Sequence, residues 1–376
     1  MREFVKVFTG VDIHDGKYLH PGKVLALMQD GSRRILTPEE VPEGTATERL
    51  AAGVLCPGFV DLQVNGGGGV MFNDSPDVAT LRRIAEAHRR TGVAGFLPTL
   101  ITDTPDKTEA AIEAAVAAIV EAVPGIIGLH LEGPHLSIAR KGAHDGALIR
   151  PMTNADLALI LRAAARLPNL MVTVAPENTS NAQIRAMSKA GVIVSLGHSD
   201  ADYETCMAAF DAGACCVTHL FNAMSQMGNR APGLVGAALA CEGVHAGLIA
   251  DGIHVHPASI RNALAAKAEG IFLVSDAMAT AGSDITSFTL NGREVYRANG
   301  QLTLADGTLA GADLEMGRAV YTLTHAVGEP LEMALARAIS GPLALLRDHM
   351  GLGRIESADQ PLVLFDPESG AVRVLG

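Results

Sequence analysis

Seven residues able to bind a metal or move a proton fall at matching places along this chain: His130, Glu132, His198, His219, Asp251, His254 and Asp276. Each stands at or just after the C-terminal end of an apolar, strand-like run. Gln63 and Asn65 occupy the same place in the first such run. Scattered structural histidines have no reason to keep to one position. Glu132, His198 and His219 offer one carboxylate and two imidazoles, a common ligand set for a catalytic divalent cation with water in the remaining place. Asp276 closes Leu273-Val274-Ser275-Asp276; a carboxylate beside a metal can take a proton from water and return it to a leaving nitrogen. The plainer reading makes each of these a polar cap on a strand or turn. Their recurrence at corresponding strand ends argues against it.

Two loops are suited to hold a substrate. Glu132-Gly133-Pro134-His135 runs on into Arg140-Lys141-Gly142-Ala143-His144, and loops of that length in compact domains are often functional. Phe221-Asn222-Ala223-Met224 is followed by Arg230-Ala231-Pro232-Gly233. Backbone N–H groups at Asn222 and Ala223, with Arg230 nearby, suit a phosphate; otherwise Arg230 is a solvated surface cation. Gly66-Gly67-Gly68-Gly69 lacks the endings of a nucleotide-binding loop, and no G-x-S-x-G nucleophile elbow occurs.

The elements that must position these groups follow a rhythm. Eight apolar runs occur in order: Phe59–Asn65, Gly95–Ile101, Ile126–Glu132, Leu170–Glu177, Val192–His198, Cys215–Phe221, His245–Gly252 and Ile271–Ala277. Alanine-rich helical patterns lie between most of them, such as Asp77–Arg90, Asp106–Ala122, Asn154–Arg166, Ala201–Asp211 and Pro257–Ala268. Strands alternating with helices predict a parallel sheet, and eight repeats predict closure into a (β/α)₈ TIM-type barrel with its active site at the C-terminal rim. Both chain ends read as short strands and turns. The expected architecture is therefore α/β: a barrel over residues 57–354 and a small β-sandwich domain from 1–56 plus 355–376. A β-hairpin insertion near 286–306 carries the turns Asn291-Gly292 and Asn299-Gly300. Helices over Leu314–Ala326 and Leu331–Met350 close the barrel.

Composition narrows the function classes. The 376 residues are 48% hydrophobic and 19% charged, with a formal charge of −12, which argues against nucleic acid as a partner. A small phosphorylated ligand needs only a few local donors. The five cysteines form no C-x-x-C pair, so buried thiols in a reducing compartment explain them best. Met1-Arg2-Glu3-Phe4 lacks the apolar core of a leader, and no run reaches the length of a membrane span. A cytoplasmic location is expected.

The ordered segments Pro57-Gly58-Phe59-Val60-Asp61, His130-Leu131-Glu132-Gly133-Pro134, Lys141-Gly142-Ala143-His144, Gly197-His198-Ser199, Thr218-His219-Leu220-Phe221-Asn222-Ala223-Met224 and Val274-Ser275-Asp276-Ala277 resemble the N-acetylglucosamine-6-phosphate deacetylases of the amidohydrolase superfamily. The resemblance runs from about residue 20 to the C-terminus. It implies Glu132, His198 and His219 as metal ligands, Asp276 as acid/base, and His144 as a partner of a sugar hydroxyl or the polarised carbonyl. It implies phosphate contacts at Asn222 and Ala223. Arg230 and His254 resemble residues reaching the phosphate from a neighbouring subunit, hence a homodimer. Gln63-Val64-Asn65 replaces the superfamily's common His-x-His. Amides are poor ligands for a second metal, so one divalent ion per subunit is expected, with Zn²⁺ foremost and Fe²⁺, Mn²⁺ or Co²⁺ as alternatives. Ala312 departs from an expected serine.

The implied reaction is hydrolysis of the acetamide of N-acetylglucosamine 6-phosphate. Its nearest rival is the galactosamine epimer. A cyclic-amide hydrolase is disfavoured by the missing His-x-His and bridging lysine. A catalytically silent barrel should have lost ligands that are all present here.

Overall fold

The eight apolar runs become eight parallel strands whose residues are almost all buried, as strands covered on both faces must be. In order they are β1 (Phe59–Val64), β2 (Val93–Ile101), β3 (Leu129–Glu132), β4 (Leu170–Val174), β5 (Ile193–Leu196), β6 (Cys216–Val217), β7 (His245–Leu248) and β8 (Ile271–Leu273). Each pairs in parallel with the next from β1 through to β8. The last strand meets the first through single bonds: Asp276 N–H to Gln63 O (3.1 Å) and Asn65 N–H to Ala277 O (2.8 Å). This computed structural model describes residues 4–358 and 360–375; the Met1-Arg2-Glu3 end weighed above lies outside them.

Crossover helices start on polar caps that the sequence supplies. Asp77 accepts the N–H of Thr80 to open Val78–Arg90, and Asp202 accepts that of Thr205 to open Tyr203–Asp211. Thr153 and Asp156 form a reciprocal capping box at Asn154–Ala164. Helices Asn181–Lys189 and Gly233–Ala240 escape sequence reading. The second is apolar on nearly every side, so it has no amphipathic stripe to betray it.

The chain ends share structure. A hairpin of Leu362–Phe365 and Val372–Leu375 pairs antiparallel with Val54–Pro57, while Phe4–Thr9 and Val24–Met28 build a second sheet. Phe8 and Leu25 of one sheet pack with Ile13, Leu55 and Leu362 of the other, which makes a sandwich.

Three differences from the sequence reading matter. The expected hairpin pair is a four-stranded antiparallel sheet, Ser287–Leu290, Arg293–Ala298, Gln301–Leu304 and Leu309–Ala312. Its last strand, Leu-Ala-Gly-Ala, is too small-sided to look like one. The expected helix Leu331–Met350 breaks at Ile339 into Leu331–Ala338 and Ser340–Leu343; Pro342, which has no N–H to bond back one turn, follows the break. Strand β6 ends at Val217 instead of running to Phe221, because His219 and Phe221 turn left-handed, at φ +30° and +77°. Among the described residues no helix is long and apolar enough to cross a membrane.

Candidate active site

Barrel strands deliver their polar ends to one rim. Glu132 closes β3, while His198 and His219 follow β5 and β6; they are only 2%, 5% and 4% exposed. Glu132 Oε1 lies 3.1 Å from both His198 Nε2 and His219 Nε2, which are 3.1 Å from each other. Ligand bonds of 2.0–2.1 Å in a tetrahedral site would put the donor atoms about 3.3 Å apart. The triangle therefore fits one divalent cation. Donor chemistry agrees: His198 Nδ1 faces the carbonyl oxygen of Arg140 at 2.8 Å, so that nitrogen carries the proton and Nε2 offers a lone pair. Burial opposes ionisation of Glu132, but its close contacts with the two imidazoles hold its carboxyl well below the usual range. Burial pulls His219 down, yet the same carboxylate raises it on balance. An ionised carboxylate beside imidazole nitrogens is the donor set a divalent cation takes.

His198 is fixed by a ring of contacts around its loop. Glu177, after β4, accepts Ser199 Oγ–H and Asp200 N–H, both at 2.7 Å. Asp200 in turn pairs with Arg140 Nε at 2.7 Å. His198, His219 and Asp276 all take positive φ, +47°, +30° and +52°, a conformation that residues other than glycine rarely hold and that clusters at functional sites.

Asp276 meets the strand-one amides. Asn65 Nδ2 donates to Asp276 Oδ1 at 2.6 Å and Gln63 Nε2 at 3.2 Å. Gln63 Nε2 also lies 3.3 Å from both oxygens of Glu132. The amides thus turn N–H donors toward the two carboxylates. Burial raises the Asp276 carboxyl and the charge of Glu132 raises it further, against the hydrogen bond from Asn65. Ala312, the departure from an expected serine, meets this aspartate through its backbone: its N–H donates to Asp276 O at 2.9 Å.

His144 comes from the long loop after β3 and packs edge-on against His198, ring centres 4.3 Å apart. Its Nδ1 lies 2.8 Å from Thr102 Oγ and 3.4 Å from Thr102 N–H. A backbone N–H can only donate, which favours a bare Nδ1 and a proton on Nε2. Burial, aided by His198, pulls His144 down to about 3, so it is neutral at physiological pH. Thr102 escaped sequence reading, although its place at the end of β2 was the available signal.

These groups face a cavity of about 540 Å³. Asn222, Ala223 and His254 line it, as do Leu290, Thr308 and Leu309 of the inserted segment. His254, expected to arrive from a neighbouring subunit, lines this chain's own cavity. Asp251 Oδ2 lies 2.6 Å from His254 Nδ1 and fixes its ring. The backbone N–H of Asn222, expected to face a phosphate, donates to His219 O at 2.9 Å, because the left-handed turn at His219 closes on itself. Arg230 is exposed and is not part of the cavity wall. His130 is not at the site either: it points into the barrel, with Nε2 2.7 Å from Thr173 Oγ and Nδ1 3.1 Å from Leu62 O. Arg293, also missed, donates from the inserted sheet to the carbonyl of Ala143.

Residues 54–340 match the amidohydrolase family. An N-acetylgalactosamine-6-phosphate deacetylase of Shewanella sp. (strain ANA-3) is 46% identical over 293 residues, 77% of this chain and 73% of that protein. The N-acetylglucosamine-6-phosphate deacetylase of Haemophilus influenzae is 34% identical over 337 residues, 89% of this chain and 88% of that one. The crystal structure of N-acetylglucosamine-6-phosphate deacetylase from Pasteurella multocida matches with a TM-score of 0.90 at 35% identity, covering 98% of this chain and 96% of that chain. With the barrel, the buried carboxylate–imidazole triangle and the rim aspartate already in view, these likenesses place the chain in the amidohydrolase family, in the branch that holds the N-acetylglucosamine- and N-acetylgalactosamine-6-phosphate deacetylases.

Proposed function

We propose that this chain hydrolyses the acetamide of N-acetylglucosamine 6-phosphate to glucosamine 6-phosphate and acetate. The observation that carries the reading is the Glu132–His198–His219 triangle with Asp276 facing the same cavity. One divalent cation held by the triangle, Zn²⁺ by its donor set though Fe²⁺, Mn²⁺ or Co²⁺ also suit it, supplies Lewis acidity toward water and the acyl oxygen.

The chain's own residues do the rest. Gln63 and Asn65 hold Oδ1 of Asp276, which leaves its other oxygen to take a proton from the attacking water. The raised carboxyl then carries that proton to the departing nitrogen. His144, neutral and with its proton on Nε2, donates toward the oxygen where charge develops. Ala223 N–H, the Asn222 amide and His254 receive the phosphate end and so align the acetamide. Arg230 serves the phosphate of a neighbouring subunit in a homodimer; its exposure outside its own cavity supports that role.

A second reading, N-acetylgalactosamine 6-phosphate as substrate, is favoured by the 46% identity to the Shewanella enzyme. The two sugars differ at one hydroxyl. The deciding experiment compares acetate release from both sugar phosphates and from unphosphorylated N-acetylglucosamine by metal-loaded protein. A higher kcat/KM for the glucosamine epimer supports the main reading, and a higher value for the galactosamine epimer replaces it. No release from either, with metal bound, would overturn the deacetylase assignment.

A further inference from the structure

Asp61, in the segment Pro57–Asp61 that leads through β1, has no part in the chemistry above. It is nonetheless fully buried, at 0% exposed, and no Lys, Arg or His pairs with it among the described residues. An unpaired interior carboxylate is costly, so its contacts identify what it does. Its Oδ1 accepts the N–H of Gln63 at 3.1 Å, and both its oxygens lie 3.2 Å from the N–H of Ser275.

The place is specific. Every other pair of neighbouring barrel strands shares a ladder, whereas β8 and β1 meet through isolated bonds. Strand β8 stops at Leu273, and three residues later Asp276 turns left-handed at φ +52°. Ser275 lies between the two, and the Asp61 carboxylate receives its N–H as a strand carbonyl would elsewhere. The same carboxylate fixes Gln63, whose side chain contacts Asp276 and Glu132. Ser275 Oγ then accepts the N–H of Ala277 at 3.1 Å, which extends the clamp past Asp276.

We propose that Asp61 is a positioning residue: by holding the backbone of Gln63 and of Ser275 on one carboxylate, it sets the acid/base Asp276 against the strand-one amides where the barrel closes. The effect on turnover rests on the deacetylase reading; the effect on the seam does not.

The test uses the metal-loaded full chain and Asp61→Asn, which keeps the volume but loses acceptor capacity. Ser195→Ala serves as a control, since it removes a buried hydroxyl bonded to Thr218 at 2.6 Å, away from the seam. Asp61→Asn should lower kcat per folded, metal-loaded site by about 10–100-fold, the usual scale for a group that orients an active residue. KM should change less than about twofold and the acid limb of the kcat–pH profile should move. Hydrogen–deuterium exchange across Leu273–Ala279 should quicken in Asp61→Asn and not in Ser195→Ala. If Asp61→Asn does not fold, Ser275→Ala, which keeps the N–H held by Asp61 but removes the hydroxyl that carries the clamp on to Ala277, should give the same changes at smaller size. Unchanged kcat per loaded site, an unmoved pH profile and wild-type exchange over that segment would overturn the proposal. Should the wild-type chain prove inactive on both sugars, the deacetylase reading fails and the exchange result alone decides the role of Asp61.

Discussion

Glu132, His198 and His219 lie in the interior, bonded to one another and braced from behind by Gln63, Arg140 and Glu177. Arg230, on the loop that follows β6, reaches out into solvent from the exposed run Gln226–Ala231. One region holds its atoms to within a hydrogen bond; the other leaves a long cation free to move. The contrast follows from what each must do. Moving a proton at a chosen oxygen demands fixed distances, and only a packed interior supplies them. Attracting a phosphate dianion needs charge nearby, which a flexible arm provides. The inner region should therefore govern kcat and the outer one KM.

The sharpest break of this contrast is His198→Ala. Metal content by elemental analysis should fall and acetate release should fall with it. Asp276→Asn should keep the metal yet lower kcat by about 10²–10⁴-fold, the range for loss of a general acid/base. Retained metal with retained turnover would move the proton-transfer role elsewhere.

Asn65→Ala probes the support of that carboxylate. Its hydrogen bond holds Asp276 down against burial and Glu132, so removing it raises the carboxyl further. A base must be ionised to accept a proton; the acid limb of the kcat–pH profile should therefore shift to higher pH, with the largest loss below neutrality. For the outer region, Arg230→Ala should raise KM for the sugar phosphate by about 10-fold with kcat little changed, as expected for one charged hydrogen bond. The unphosphorylated sugar should not register the change. An equal fall in kcat would blur the division between the two regions.

The smallest effect concerns stability away from both regions. Burial opposes ionisation of Asp156, but Arg150 and Thr153 hold its carboxyl well below the ordinary range. A depressed carboxyl stabilises the fold above its unfolded pKa and loses that contribution as pH falls through the folded value. Asp156→Asn should cost roughly 1 kcal/mol at neutral pH, and the gap to wild type in thermal melts should close in acid.

The inner region was the more legible in sequence for the same reason that it is rigid. Barrel strands are short apolar runs, and a functional residue at the end of one stands out against Val, Leu and Ile. Glu132, His198, His219 and Asp276 could be read in that way. The supports could not: Thr102, Glu177 and Asp61 are ordinary polar residues until the fold brings distant strands together. The outer region was less legible, since neither the use of the Asn222 N–H by His219 nor the seating of His254 in its own cavity follows from spacing. The inserted sheet was underestimated because Leu309–Ala312 carries no β-branched signature, although it brings Leu309 to the cavity wall.

The left-handed backbone at His198, His219 and Asp276 has a consequence for how the enzyme would drift under selection. Glycine adopts that conformation without steric cost, so at these positions it would relieve backbone strain while removing a ligand or the acid/base. A laboratory evolution run that rewarded heat resistance alone would thus be drawn toward substitutions that empty the site, and deacetylase activity would have to be selected alongside it.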